Sequence, residues 1–168
     1  MSENYIVING KRTELTEEQL KALGIEVETK RKNPFEKVTT GDMYYFIRDF
    51  GDVDEYEQAD DYEDDTLLKA CNYFNDEQFA NQVALHQLLY RKLLKFAYDN
   101  GYEDTAEWYS HNRHYHIIYS FNEKDFDFDG NDAFKRQGTV YFSSTEGALQ
   151  AISEVVIPFM KEHPDFVW

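Results

Sequence analysis

Residues Asn75–Gly101, NDEQFANQVALHQLLYRKLLKFAYDNG, carry the strongest structural signal in the chain. Apolar side chains recur along this stretch at steps of three and four residues, the spacing of one helix face. Asn75 or Asp76 suits the N-cap position, and Gly101 suits the residue that follows a helix. The pattern predicts a central helix of about 24 residues, roughly 36 Å long, that is buried along more than one side.

Strands are predicted on both sides of this helix. Alternating apolar side chains mark residues 44–47, and they recur on either side of a turn at 122–124. A third strand is expected at Val140–Phe142. A cap at Ser143 or Ser144 then starts a second helix, which Pro158 is expected to bend or end.

Two short motifs resemble each other along the chain. They are NYFNDEQFA at 72–80 and VYFSSTEGA at 140–148, and each is a strand end that leads into a capped helix. The similarity fits either a shared local geometry or an old duplication.

The first residues form a predicted arm of their own. Ile6 and Ile8 alternate with polar or small neighbours, Asn9-Gly10 is favoured in a type I′ turn, and a short helix is expected over 16–25. We therefore predict a ββα arm at 1–27, a linker at 28–41 and a main domain at 42–168. The expected class is α+β, with a mainly antiparallel sheet packed against two longer helices.

The charge of the chain limits its partners. The formal net charge is −16, which repels nucleic acid and anionic membranes and favours basic proteins or cations. Residues 1–40 balance seven bases with seven acids, so the whole excess falls on residues 41–168. Aromatic residues make up 17% of the chain, which indicates a packed globule because disordered chains are poor in them.

The single cysteine, Cys71, excludes an intramolecular disulfide and suits a reducing compartment. Its strand-like surroundings predict a buried side chain. No signal peptide or apolar run long enough to span a bilayer is recognisable, so we expect a soluble intracellular protein.

Two acidic stretches stand out. Residues Gly51–Asp65, GDVDEYEQADDYEDD, carry nine acids and no base. The interleaved Tyr56 and Tyr62 favour a segment tethered to the folded body, although a solvated loop fits the same composition. The residues expected to contact a partner are Asp52, Asp54, Glu55, Glu57, Asp60, Asp61, Glu63, Asp64, Asp65, Asp125, Asp127 and Asp129.

Two stretches carry residues that could bind a metal ion. The second acidic stretch, DFDFDGND at 125–132, begins like an EF-hand loop, but Arg136 stands where the loop needs a bidentate glutamate. Its alternation instead favours a strand with the phenylalanines inward. A zinc ion could be held by His111, His114 and His116, two of which share a strand face. The alternative is a partly exposed polar strand face, and no other cofactor is expected.

Motifs for catalysis are lacking. The chain has no glycine-rich phosphate loop and no GxSxG elbow. Cys71 lacks the basic surroundings of a reactive thiolate, and His86 reads as a core or interface histidine. We therefore expect no enzymatic activity.

Three stretches of the chain resemble small accessory proteins of phages and prophages of Gram-positive bacteria. They are ELTEEQLKALGIEVETKRKNPFEKV at 14–38, LYRKLLKFAYDNG at 89–101 and GTVYFSSTEGALQAISEVVIPFMKEHPDFVW at 138–168. Some proteins in such gene sets are anti-CRISPR inhibitors. The resemblance thus implies a phage-encoded inhibitor in the bacterial cytoplasm, with no functional residue carried over because the shared motifs are structural.

Two functions follow as expectations. In the first, the acidic residues mimic nucleic acid and bind a basic host protein such as a type II CRISPR effector nuclease or its guide complex. In the second, the chain is a structural or assembly accessory that binds through an apolar surface, around Trp108 or Phe166–Trp168.

Overall fold

A computed structural model of the chain describes residues 5–8, 11–14, 19, 33–104, 112–131 and 134–168. The fold is α+β, as the sequence predicts. Contacts divide the chain into two units, Met1–Asn33 and Pro34–Trp168. In the first unit, β1 (Tyr5–Ile8) and β2 (Lys11–Glu14) pair antiparallel. This confirms the predicted hairpin, whereas its turn and the helix expected at 16–25 lie outside the described residues, apart from Gln19.

The second unit alternates hairpins with helices. In chain order its elements are β3 (Met43–Ile47), β4 (Val53–Glu57), α1 (Tyr62–Lys69), α2 (Glu77–Asp99), β5 (His114–Ser120), β6 (Asp125–Asn131), α3 (Thr145–Ala151), a π-helical turn (Ile152–Val156) and α4 (Ile157–Glu162). Strand β3 pairs with β4, and β5 pairs with β6, both antiparallel. The strands are thus arranged as separate two-stranded ladders.

Helix α2 is the long helix that the sequence predicts. The Asp76 side chain caps it by accepting a hydrogen bond of 2.7 Å from the Phe79 amide. Gly101 follows with φ +79°, a conformation that L-residues with a side chain rarely adopt. The cap and the glycine therefore set the two ends of the helix.

The hydrophobic core lies where α2 meets the last third of the chain. Its buried members come from α2 and the residues just after it, from the segment after β6, and from the C-terminal helices and the residues that follow them: Leu89, Leu93, Ala97, Tyr102, Val140, Tyr141, Phe142, Ala148, Ala151, Val156, Phe159 and Phe166. The helical periodicity of α2 thus places one of its faces in this core.

A hairpin and a capped helix occur twice in the second unit, as a first module (Met43–Asp99) and a second module (His114–Ala151). In each, the inner strand forms one further antiparallel bridge to a Tyr-Phe segment, Tyr45 to Phe74 and Tyr115 to Phe142. In each bridge, the amide of either residue donates a hydrogen bond to the carbonyl of the other. The Tyr-Phe segment is therefore fixed against the hairpin.

The helices of the two modules also begin alike. Ser144 caps α3 as Asp76 caps α2, each through the amide three residues on. The next residue inward, Ala80 or Ala148, is fully buried. The resemblance between the two motifs therefore extends to the hairpin and the bridge that precede each helix.

Three expectations are corrected by the structure. Val140–Phe142 forms a single bridge at Phe142 and no strand. Pro158 does not end the helical region, since it lies in the first turn of α4, where a missing N–H costs little, directly after the π-helical turn. Cys71 is exposed, because it follows the end of α1 with φ +54° and does not lie in a strand.

Candidate protein-binding surface

The residues Asp52–Asp65, here called the acidic segment, form regular structure. They comprise strand β4, a short connection and the first turn of α1. The segment is therefore tethered to the folded body, and the solvated-loop interpretation is wrong. Helix α1 was missed in the sequence because it is short and lacks an apolar stripe.

Asp64 anchors this segment from inside. Its side chain is 2% exposed, and it accepts hydrogen bonds from the Tyr44 hydroxyl (2.8 Å), the Gln58 amide group (2.9 Å) and the Ala59 backbone (2.9 Å). Burial by itself would raise the pKa of Asp64, but these hydrogen bonds lower it below its ordinary value. Asp64 is thus a buried structural carboxylate, and its expected role as a partner contact is wrong.

Asp61 ties the same region together as the N-cap of α1. Its carboxylate accepts from the amides of Glu63 (2.8 Å) and Asp64 (3.0 Å), while Asp64 accepts from the Asp61 amide (3.2 Å). This reciprocal pair is a capping box, and the acids in the first turn are further favoured by the helix dipole. The pattern D-x-x-D at 61–64 is the sequence signal that would have revealed the helix.

Two tyrosines extend the anchor into the first module. The rings of Tyr44 and Tyr73 are stacked with centroids 4.1 Å apart. The Tyr73 hydroxyl donates to the Gln58 side chain at 2.6 Å and accepts from the Val38 amide at 3.1 Å. Because Gln58 also binds Asp64, the acidic segment is held by a connected buried network.

Two acids of the segment have cationic partners. Asp60, which adopts φ +58°, pairs with Lys37 at 2.7 Å and also accepts from Thr40. The hydrogen bond from Lys37 is the main reason why the pKa of Asp60 is lowered. Asp54 pairs with Arg48 at 3.2 Å. Both pairs are partly solvent-exposed and contribute little to stability.

Five acids of the segment remain exposed without a cation within 4.0 Å in the described part of the chain: Asp52, Glu55, Glu57, Glu63 and Asp65. Of the two tyrosines expected to tether the segment, Tyr56 packs on Phe46 with ring centroids 4.9 Å apart. Tyr62 is 86% exposed and tethers nothing. The surface therefore offers unpaired carboxylates next to an open aromatic ring, a combination suited to Arg and Lys.

The second acidic stretch is strand β6, which confirms the strand interpretation of DFDFDGND. Phe126 and Phe128 are half-buried and the three aspartates are exposed. Asp125, Asp127 and Asp129 each accept a hydrogen bond of 2.8 Å from the amide of the following residue. This hairpin packs against α3, whereas the acidic segment belongs to the first module. The twelve candidate residues are thus divided between the two modules, nine in the acidic segment and three on β6.

The histidines of β5 lie inside the second module. His114 and His116 are each 3% exposed, with ring centroids 6.3 and 5.5 Å from that of Tyr141. Burial lowers the pKa of both, and at His116 the guanidinium of Arg136, 3.3 Å from Nε2, lowers it further. The nearby Asp129 backbone raises the pKa of His116, which opposes these two effects. No hydrogen bond of good geometry reaches His116 Nδ1, however, so burial and Arg136 dominate. The expectation of a partly exposed histidine face is wrong.

The described residues contain no group of three His, Cys, Asp or Glu side chains arranged to hold a metal ion. His111, the third member of the zinc alternative, lies outside them. His86, expected in a core or interface, is exposed on α2. Its ring contacts Phe166 edge-on, with ring centroids 4.7 Å apart.

Two of the three apolar residues at the C-terminus pack against the rest of the fold. Phe166 is 4% exposed, and Trp168 packs against Phe126 with ring centroids 4.9 Å apart. Val167 remains 68% exposed, and Trp108 lies outside the described residues. At the C-terminus, Val167 is therefore exposed, and the half-buried Trp168 lines an apolar cleft together with Leu93 and Ile117.

Comparisons with protein families, curated proteins and solved structures give no match to the chain. Within the described ranges, no helix has both the length and the apolar character needed to cross a bilayer.

Proposed function

We propose that the chain is a non-enzymatic inhibitor that binds a basic, nucleic-acid-handling protein through the acidic segment. The observation that carries this proposal is the anchoring of the segment from inside by Asp64. Side chains on a fixed backbone lose less entropy on docking than those of a mobile tail. The exposed carboxylates therefore stand in for the phosphates of a nucleic acid.

The partner follows from the charge and from the resemblance. A net charge of −16 steers the chain toward cationic grooves and away from nucleic acid itself. A type II CRISPR effector nuclease holds guide and target in positively charged channels. Such a nuclease, with or without its guide RNA, in the cytoplasm of a bacterial host, is the partner that the resemblance to phage accessory proteins suggests testing first.

The competing function, an assembly accessory that binds through apolar surface, has less support. Phe166 and Trp168, two of the residues expected to form that surface, make contacts within the fold. The carboxylates of Asp52, Glu55 and Glu57, in contrast, have no cationic partner among the described residues.

Binding of purified type II effector, free and guide-loaded, would test the proposal. We expect affinity to fall steeply as salt rises, since exposed charges are screened over a Debye length. The variant Asp52→Asn/Glu55→Gln/Glu57→Gln should bind about tenfold more weakly or worse. A matched variant, Glu103→Gln/Glu123→Gln/Glu162→Gln, loses the same charge from exposed sites outside the segment and should bind nearly as wild type.

Biolayer interferometry over a salt series gives both quantities. Equal weakening by the two triple variants would indicate a general charge effect and would contradict a specific surface. Binding that is insensitive to salt would contradict the proposal altogether.

A further inference from the structure

The hairpin of the first module leaves one backbone edge unpaired. Strand β4 exchanges its ladder hydrogen bonds with β3 through Asp54 and Tyr56, the residues opposite Phe46 and Tyr44. The N–H and C=O groups of the alternate residues Val53, Glu55 and Glu57 therefore point away from β3. On its other side, β3 is bridged to Phe74, so β4 is the open edge.

The corresponding edge in the second module is closed. Tyr115 bridges Phe142 on the far side of β5, so the outward amides of β6 belong to Phe126, Phe128 and Gly130. These are the three amides bound by the preceding aspartates, each at 2.8 Å. The Asp-x-Asp-x-Asp pattern thus occupies every outward donor of this edge, which makes the edge a poorer template for an added strand.

Strand β4 carries only one such cap. The Asp54 carboxylate accepts from the Glu55 amide at 3.0 Å, whereas the amides of Val53 and Glu57 have no acceptor in the described part of the chain. The outward carbonyls of Val53, Glu55 and Glu57 have no described donor either. Glu55 and Glu57 are exposed, so this edge is accessible to an added strand.

The charges beside this edge select the added strand. Asp54 lies on one face of β4, and Glu55 and Glu57 lie on the other. Side chains of a neighbouring strand lie about 5 Å away, where opposite charges attract and like charges repel. A second copy of this chain would place carboxylates opposite carboxylates and is disfavoured. The Asp54 carboxylate already pairs with Arg48, so lysine and arginine side chains would be attracted on the face that carries Glu55 and Glu57.

We propose that the open edge of β4 takes up an extended Lys/Arg-bearing segment of the partner as an additional strand. Backbone hydrogen bonds to the amides of Val53 and Glu57 and to the outward carbonyls of β4 would hold the segment, and the carboxylates of Glu55 and Glu57 would select its basic side chains. The inference rests on the proposed function for the basic character of the partner, and it adds the mode of binding.

Proline substitutions test the backbone contacts apart from the charges. Val53→Pro removes an outward N–H at the first residue of an edge strand, a position where proline is tolerated. We expect it to bind a fluorescein-labelled peptide of alternating arginine and valine about fivefold more weakly than Val53→Ala. Glu57→Pro compared with Glu57→Gln repeats the test at the other open amide, with the same loss of charge in both variants.

Amide hydrogen exchange can be measured on the wild-type chain, so its result does not depend on how a substitution affects the fold. On adding the peptide, exchange should slow at Val53 and Glu57 and stay unchanged at Phe126 and Phe128, whose donors are already bound. A peptide of equal charge with proline in place of valine should bind more weakly and protect neither amide.

The results separate the inference from the proposed function. Unchanged exchange at Val53 and Glu57, with equal binding by the proline variants and their matched controls, would overturn the added strand. If the triple variant at Asp52, Glu55 and Glu57 still bound the effector more weakly, the acidic surface would remain supported without the added strand. If that variant also bound normally, both the added strand and the acidic surface would be contradicted.

Discussion

Asp64 has a role that its position in an acidic run conceals. Among nine acids between Gly51 and Asp65, it is the one whose side chain points inward to Tyr44 and Gln58. Composition cannot distinguish this residue from its neighbours, because the difference arises only when β4 and α1 bring its hydrogen-bond donors together. One buried carboxylate then positions the exposed ones.

Replacing Asp64 by alanine should destabilise the fold by about 3 kcal/mol, since three or more buried donors lose their acceptor. Asp65→Ala, at an exposed neighbour, should change the free energy of unfolding by less than about 0.5 kcal/mol. Urea denaturation would measure both. Similar values for the two variants would show that Asp64 is not an anchor.

The same carboxylate predicts a pH dependence. Because its pKa in the fold is lowered from the ordinary 3.8, its stabilising contribution is present above that value and is lost as the pH falls through the lowered one. The difference in unfolding free energy between wild type and Asp64→Asn should therefore narrow below about pH 4. A constant difference down to the acid transition would contradict this assignment.

Cys71 shows how backbone conformation decides a single position. With φ +54° it occupies the left-handed region just past α1, which glycine adopts without strain. Cys71→Gly should raise the free energy of unfolding by about 0.5–1 kcal/mol, whereas Cys71→Ala, which keeps a Cβ, should give no gain. Equal stability of the two variants in urea would count against strain at this site.

At the scale of elements, the sequence predicts what is repetitive and local. The periodicity of α2, its cap and the hairpin around 122–124 are all confirmed. Helix α1 escapes a pattern search because its stability comes from a capping box and one buried carboxylate. The bridge at Phe142 escapes it as well, since a single bridge depends on long-range packing against β5.

The two modules predict matched effects at their helix caps. Asp76→Ala and Ser144→Ala should each lower the free energy of unfolding by about 1 kcal/mol, because each leaves a helix amide without its acceptor. Gln78→Ala, exposed in the first turn of α2, serves as a control with little effect. Asp76→Asn should restore most of the loss at that cap. A loss at one cap alone, measured by thermal and urea denaturation, would contradict equivalent modules.

At the scale of the whole molecule, the two hairpins differ most in what their edges expose. Both modules use the same bridge and the same capped helix, yet one edge is closed by aspartates and the other is open. The sequence alone showed two acidic stretches of similar appearance. Their separation into an edge-closing set at 125–129 and a surface set on β4 and α1 depends on the strand register, which a single sequence does not specify.

The net charge of −16 predicts opposite salt effects on the free chain and on its complex. In the free chain, like charges repel within the fold, so screening should raise the melting temperature by a few degrees between about 20 mM and about 300 mM NaCl. In the complex with a basic partner, the same screening removes attraction and should weaken binding.

The triple variant at Asp52, Glu55 and Glu57 should have a higher melting temperature than wild type at low salt and should bind the partner more weakly. Removing these carboxylates relieves repulsion within the fold and also removes the contact with the partner. Scanning calorimetry and binding in the same buffers would measure both quantities, and a variant that lost both stability and binding would show that these carboxylates support the fold instead of the interface.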